Sequence, residues 1–393
     1  MTMLIQMHFL QNYAPSNLNR DQSGSPKDAI FGGYKRGRIS SQCLKRSVRL
    51  SSVFESEFGE DGLLGTRTQR LPFLVQEALK PLGATSEEVA AIVSRVPEIG
   101  RESTKAKREE GDEDEVEADD TGEEARAGET KQLIFLDIAT ELPQLAQKLL
   151  AECRKYGAKE FGNPKKVKIA DITRALGSTV PRSIDIALFG RMTTSEAFKD
   201  VQASSQVAHA ISTHKVEQEF DYYTAMDDLK PDGEPGADMI GDIEFNSCTY
   251  YRYLNVHWEG LLENLGGKEH RDVARRAVIA LLHAATVAQP SGKQNSFAAF
   301  SLPDLILVEV SETNLPVSYA NAFLRPARAW GNNTLMDVSI EQLGQHVANL
   351  SKAYDLKAAR ACLVVGGNKF ATAEAKGTLD DLEAWLRDHL PQV

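Results

Sequence analysis

The stretch Ile243 to Val256 alternates in side-chain character, and it constrains the fold of this chain more than any other segment. On an extended backbone Tyr251, Tyr253 and Asn255 share one face, and Tyr250, Arg252, Leu254 and Val256 share the other. Around it the sequence predicts strands at residues 2–10, 207–216 and 304–310, and helices at 41–55 and 271–288. With the insertions removed, the order is βαββαβ, that of an α+β, ferredoxin-like fold. The same order underlies the RNA recognition motif, where sheet aromatics can stack bases. Many functions share it, so it sets architecture more than activity.

The insertions have their own character. Residues 58–180 read as a largely helical unit, with a capping box at Thr85 and Glu88 and helices near 140–156 and 168–177. Within it, residues 102–129 hold 13 acids and 4 bases and no aromatic, which predicts a disordered loop with nothing to bury. Ile184 to Met192 reads as a strand, and 217–242 is polar and rich in Asp and Gly. Near the end, Ser339 with Gln342 predicts a helix to about Tyr354, Ala361 to Val365 a strand, and 378–390 a last helix.

The net charge of −11 argues against nucleic acid as a partner until it is divided by position. The acidic segment alone carries −9, and residues 1–50 carry +6. In the helix from Ser40 or Ser41, Gln42, Lys45, Arg46 and Arg49 fall on one face, with Leu44, Ser47, Val48 and Ser51 opposite. No acid occurs between Asp28 and Glu55, whereas a solvent face commonly mixes signs. The preceding loop adds Arg20, Lys27, Lys35, Arg36 and Arg38 around Gly32-Gly33, where backbone can approach a ligand closely. A solvated face and a polyanion site both remain open on residues alone.

Other features are weaker. Gly292-Lys293-Gln294-Asn295 offers a cation and amides beside a glycine, or a plain surface turn. Arg191 and Met192 at a strand end suit a nucleotide clamp and wedge, or a core position. Lys165, Lys166 and Lys168 cluster and read equally as solvated. His8, His209 and His214 lack metal-ligand spacing, and no P-loop, GxSxG or HExxH is present, so neither cofactor nor metal is expected. Four separated cysteines fit reduced thiols. No run approaches a membrane span and the first ten residues do not read as a signal peptide, so a cytoplasmic location is expected.

Lys27-Asp28-Ala29-Ile30-Phe31-Gly32-Gly33, then Arg38-Ile39-Ser40-Ser41-Gln42 and Leu44-Lys45-Arg46, form a pattern that resembles the backbone subunit of the type I-E CRISPR interference complex, Cascade (the CasC family). Asn19-Arg20-Asp21, Asp185 to Met192, Gln206 to Ala210, Ser212-Thr213-His214, Tyr250 to Tyr253 and Gly292 to Asn295 continue it in order. The resemblance runs from residue 5 to about 300 and is less distinctive over the C-terminal 90 residues.

This resemblance implies an RNA-recognition-motif-like palm (1–57, 181–214 and 246–393), helical fingers (58–180) and a long hairpin thumb (215–245). It implies a non-catalytic protein whose copies stack head to tail along a CRISPR RNA, kink it at intervals and leave bases free to pair with target DNA. Large and small subunits, subunits at the guide's 5′ and 3′ ends, and a recruited helicase-nuclease are the other implied partners. Carried over by position, the guide contacts are Asn19, Arg20, Lys27, Arg38, Ser40, Gln42, Lys45, Arg46, Arg49, Arg191, Met192, Lys293 and Asn295. Met192 is the implied wedge, and Met239 and Ile240 lie near the thumb tip. Lys165, Lys166 and Lys168 are the implied contacts to DNA. The alternative is an RNA-processing endonuclease on the same core, with His209 or His214 as acid or base.

Overall fold

The computed structural model describes residues 2–99, 128–130, 132–177, 179–193, 195–225, 239–367 and 370–392. The chain opens with β1 (Leu4–Ser16), then a hairpin of β2 (Asp28–Phe31) and β3 (Tyr34–Ile39), then α1 (Ser41–Arg49) and α2 (Ser52–Phe58). An insertion follows with β4 (Gly65–Thr68), α3 (Leu71–Leu79), α4 (Ser86–Arg95), β5 (Ile134–Asp137), α5 (Glu141–Tyr156), α6 (Ala158–Phe161), α7 (Ile169–Leu176) and α8 (Ile184–Phe189). The remainder holds β6 (Ser205–Val207), β7 (Ala210–Ser212), β8 (Glu219–Ala225), β9 (Met239–His257), α9 (Trp258–Asn264), α10 (Arg271–Val287), α11 (Gln294–Phe297) and β10 (Leu305–Ser311). It ends with α12 (Leu335–Tyr354), β11 (Ala359–Val364), β12 (Glu374–Lys376) and α13 (Leu379–His389). Two units result: Met1–Glu55 with Ser205–Gly260 and Glu269–Val393, and Ser56–Ser204 with Leu261–Lys268.

The first unit is built on one mixed sheet in the order β12-β11-β10-β1-β9-β7-β3-β2, with β6 and β8 also pairing with β9. The anticipated run 243–256 is the C-terminal part of β9, antiparallel to β1 from Leu4↔His257 to Tyr13↔Cys248. Its alternation sorts two cores. Tyr251 and Tyr253 pack with Leu305, Leu307, Tyr319 and, from α12, Ile340, Leu343 and Val347. Tyr250 packs on the other face with Ile39, Ala210 and Leu44 of α1. Arg252, also on that second face, donates to the Ala285 carbonyl of α10. The tyrosines an RNA recognition motif would offer to bases are therefore buried under α12, at 2% and 7% exposure.

Several elements differ from the sequence expectation. Residues 11–38 are not one continuous loop, because β1 continues to Ser16 and the β2–β3 hairpin follows, which leaves only 17–27 as loop. Gly32 and Gly33 (φ 61° and 81°) form its two-residue turn, where the left-handed region suits glycine. A Cβ on Gly32 would meet the Leu324 carbonyl oxygen at 2.4 Å, so that glycine packs on protein rather than opening to a ligand. The helix expected at 41–55 breaks at Leu50, because the Ser51 hydroxyl accepts from the Phe54 amide and starts a new one. Ile184–Phe189 is a helix, not a strand; a six-residue run that is apolar except for Asp185 is too short for its period to distinguish the two. Thr334 and Asp337, rather than Ser339 and Gln342, cap α12, and the buried Ser339 hydroxyl instead donates to the Leu335 carbonyl. Residues 102–127 of the acidic segment and 226–238 of the hairpin lie outside the described residues.

The second unit packs α3, α4, α5 and α7 through Leu71, Val75, Ile92, Leu145, Leu149 and Ile172. Arg191 lies in this interior, with its guanidinium bonded to protein groups. Its side chain is 2% exposed and pairs with the fully buried Glu141 at 2.6 Å. A second bond at 3.0 Å makes the pair bidentate, and the guanidinium also donates to the Phe135 and Lys199 carbonyls. Removing one partner of a buried pair leaves an uncompensated charge. Arg191→Ala should therefore destabilise this unit by about 3–5 kcal/mol in chemical denaturation, with Arg191→Met/Glu141→Leu recovering much of the loss.

A buried polar group also sits beneath Tyr251. His8 is fully buried, with Nδ1 at 2.8 Å from the Tyr251 hydroxyl and Nε2 at 3.0 Å from Glu309 Oε2. Tyr319 donates its hydroxyl to the same carboxylate, and Arg360 pairs with it. Burial pushes the Glu309 carboxyl up, but hydrogen bonds and charge from His8 and Arg360 outweigh that and hold it at about 2. A depressed carboxylate stabilises the fold above its unfolded value near 4.5 and ceases to as pH falls toward 2. Titrating stability from pH 5 to 2 should show a loss on the order of 3 kcal/mol that Glu309→Gln removes from the profile.

Candidate nucleic-acid interface

The first unit gathers the basic residues through backbone geometry. The Lys27 amide donates to the Asn19 carbonyl at 2.8 Å, and the Arg38 amide to the Lys27 carbonyl at 2.9 Å. The Ser40 amide donates to Asn19 Oδ1 at 2.8 Å, so Asn19 fixes the entry to α1. Ser40 then caps α1 by accepting from the Cys43 amide at 3.3 Å. The turn between Arg20 and Pro26 is organised by Asp21, whose Oδ1 accepts from the Ser23 and Ser25 amides. The Ser23 hydroxyl also donates to it, and these bonds hold the carboxyl below its usual value.

Helix α1 buries Leu44 and Val48 and leaves Gln42 and Arg46 exposed, with Lys45 and Arg49 half-buried beside them. It has no acid in its first turn, and Arg46 and Arg49 lie in its last, where cations suit the helix dipole. Burial pushes the Cys43 thiol up, while Arg46 and Lys27 both pull it down.

A bulge brings in a residue that sequence reasoning assigned elsewhere. β6 and β7 both pair with β9, but one extra residue separates their registers, Val207↔Leu254 and Ile211↔Tyr251. Bulges re-aim side chains. Here His209 is exposed between two buried stretches, and its Nδ1 accepts from Arg38 Nη1 at 2.9 Å. Arg38 also donates through Nε to the Asp28 carbonyl at 3.2 Å. His214 has no free nitrogen, because Nδ1 donates to the Lys215 carbonyl at 2.8 Å and Nε2 accepts from the Thr249 amide at 3.3 Å. Burial lowers its pKa, which keeps the ring neutral.

The Gly292 segment meets this loop. A Cβ on Gly292 would lie 2.2 Å from the Leu18 carbonyl oxygen, so only glycine permits the contact. Gly292 is thereby seated against the Leu18 carbonyl, with Lys293 following at φ 51° and Asn295 exposed. Phe297 of α11 packs against Phe245 at the root of the β8–β9 hairpin, with ring centroids 5.8 Å apart and planes tilted by 46°. Asn17, which the sequence did not single out, donates to the Gly24 and Glu244 carbonyls at 2.9 Å each and joins the loop to that root.

Other candidates do not join this group. Arg36 is fully buried and donates to the Phe31, Ser212 and Phe323 carbonyls. Lys35 pairs with Asp28 at 2.7 Å. The second unit holds the remaining ones. Lys166 pairs with Glu160, Lys165 and Lys168 are exposed, and Met192 is 80% exposed beside the buried Arg191. Met239 and Ile240 pair with Ala225 and Thr224 through the β8–β9 backbone. Among the described residues no helix is long and apolar enough to cross a membrane.

No curated protein matches the chain. A chain of a solved structure titled as a pre-nicking CRISPR RNA-guided surveillance complex is similar, with a TM-score of 0.79 and 29% identity over 99% of this chain and 100% of that one. A chain of another CRISPR RNA-guided surveillance complex has a TM-score of 0.67 and 25% identity over 97% and 99%. The family model described as CT1975-like protein matches residues 5–387, and the chain belongs to that family.

Proposed function

We propose that the chain is a non-catalytic guide-RNA-binding backbone subunit of a Cascade-type CRISPR surveillance complex of type I-E, copies of which stack along one guide. The observation that carries this reading is the chain of bonds that brings Lys27 and Arg38 to Asn19, whose Oδ1 fixes the Ser40 entry to the cationic helix α1. Both similar structures carry titles naming an RNA-guided surveillance complex. The strand order β10-β1-β9-β7, with α1 and α10 on one face, supports an RNA-recognition-motif-like palm, and the antiparallel β8–β9 hairpin supports a thumb.

The chemistry suits a guide held by its backbone. Phosphates need cations, amides and helix starts, whereas base pairing reads the target. Asn19, Arg20, Lys27, Arg38, Ser40, Gln42, Lys45, Arg46 and Arg49 supply such groups, with Lys293 and Asn295 beside them and His209 as an addition. Met192 remains the proposed wedge at the kink. Target DNA, further copies, the large and small subunits, the guide-end subunits and the helicase-nuclease are proposed as partners on the same reading. Lys165 and Lys168 keep the proposed role on DNA.

Lys27→Ala with Arg46→Ala should weaken guide binding and reduce the slope of log affinity against log salt by about 0.7 per lost phosphate contact. An unchanged slope would contradict the phosphate-gripping assignment. The endonuclease alternative rests on His209 alone, since both His214 nitrogens are engaged. The purified protein should leave CRISPR repeat RNA intact over hours; cleavage abolished by His209→Ala would overturn the non-catalytic reading.

A further inference from the structure

A depression lies in the first unit at the other end of β3. It has a volume of about 270 Å³ and is lined by Tyr34, His214, Lys215, Glu217, Ala327 and Arg328. Its floor is tied down by backbone bonds. The Val216 amide donates to the Lys35 carbonyl at 3.0 Å, and the Ala327 amide to the Thr213 carbonyl at 2.9 Å. The segment 213–217 therefore lies between the β2–β3 hairpin and the 324–328 segment.

Its lining combines an aromatic face with cations. Tyr34 is 39% exposed, and Arg328 is exposed on the opposite segment. Lys215 adds a second cation, and Arg325, exposed, precedes the lining Pro326. Glu217 is the one acid in the lining and pairs with Lys215 at 3.1 Å. Two residues past Arg328, Trp330 is 65% exposed in a turn closed by its bridge to Asn333. The start of α12 also borders the depression through Leu335, but Thr334 and Asp337 already cap it, so it adds no anion site. His214 contributes a neutral wall because its nitrogens are engaged.

Aromatic faces beside cations are what unpaired nucleotides recognise: the base stacks and the phosphate meets the cation. The volume falls just below the roughly 300–1,000 Å³ of sites for larger ligands, which suits a single nucleotide unit. We infer that Tyr34, Lys215 and Arg328 form a second binding site, for one nucleotide of a single-stranded nucleic acid, with the base on Tyr34 and the phosphate at Arg328 and Lys215. None of these residues is among the proposed guide contacts, so the site stands whether or not that assignment holds.

The test uses the full-length protein with two photo-crosslinking probes, a 20-mer oligo-uridine RNA carrying 4-thiouridine and a 20-mer oligo-thymidine DNA carrying 4-thiothymidine. Cross-links mapped by mass spectrometry should fall on the peptides containing Tyr34 and Arg328. The probe that cross-links identifies the source as RNA or DNA. Tyr34→Ala and Arg328→Gln should each lower cross-linking there by roughly tenfold, while Tyr34→Phe, which keeps the ring, should retain it. Lys27→Ala/Arg46→Ala should leave these cross-links in place even where it abolishes those at α1. Both side chains are exposed, and a melting temperature within error of the parent for each variant excludes misfolding. Absence of cross-links at these peptides with both probes overturns the proposal, as does equal cross-linking in Tyr34→Ala and Arg328→Gln. If cross-links are instead lost at α1 and kept here, the guide assignment is upheld and the two sites are separate.

Discussion

The pairing of β9 is the constraint on which the rest of the first unit depends. One edge of this strand bonds β1 from His257 to Cys248, and the other bonds β6, β7 and β8 in turn. A shift of one residue in such a ladder would exchange every side chain between faces. Tyr251 and Tyr253 would then leave the core under α12, and Arg252 would lose its place over the Phe9 ring, 4.9 Å from its centroid. The same strand supplies the root of the hairpin, where Glu244 accepts from Asn17 and Phe245 meets Phe297. The basic loop, the Gly292 segment and the hairpin are thus positioned against a single ladder.

The bulge opposite β9 shows how that regularity is broken locally for a purpose. Regular pairing through 205–212 would keep strict alternation across the interval. The additional residue instead leaves Ala210 buried and His209 exposed against Arg38. Arg38 is held on its other side by the Asp28 carbonyl, so its guanidinium has a fixed direction before any anion arrives. Ordering a long side chain in advance reduces the entropy lost on binding.

Much of this was legible in the sequence, and the failures have physical causes. The β9 alternation and the apolar stripe of α1 were readable because each element buries one periodic face. The β2–β3 hairpin was not read, although Gly32-Gly33 between Phe31 and Tyr34 was an available signal for a two-residue turn. Its stability comes from distant partners, since Arg36 bonds Ser212 and Phe323 and Gly32 packs on Leu324. The helix Ile184–Phe189 was misread because its six-residue run, apolar except for Asp185, is short and buried from Ile184 to Leu188. The bond from the Ser40 amide to Asn19, and the arrival of Gly292 beside Leu18, join positions far apart in the chain and have no local signature.

Arginine shows most clearly what composition conceals. Arg36, Arg95, Arg191 and Arg252 are all buried, between 0% and 6% exposed. Each donates to a backbone carbonyl, those of Ser212, Phe161, Phe135 and Ala285 respectively. A guanidinium has five donors in a fixed plane, so one side chain can satisfy several carbonyls that no strand partner reaches. A buried carbonyl left unpaired would cost about 1–3 kcal/mol, which makes this use of charge structural. Arg36 and Arg38 are two residues apart on one strand, yet one closes the protein on itself and the other stands in the basic cluster. The +6 of residues 1–50 therefore overstates what a polyanion meets, since Arg36 is enclosed and Lys35 is paired with Asp28. What remains is concentrated along α1 and its entry loop, where the exposed Asp21 carboxylate accepts from the Ser23 and Ser25 amides.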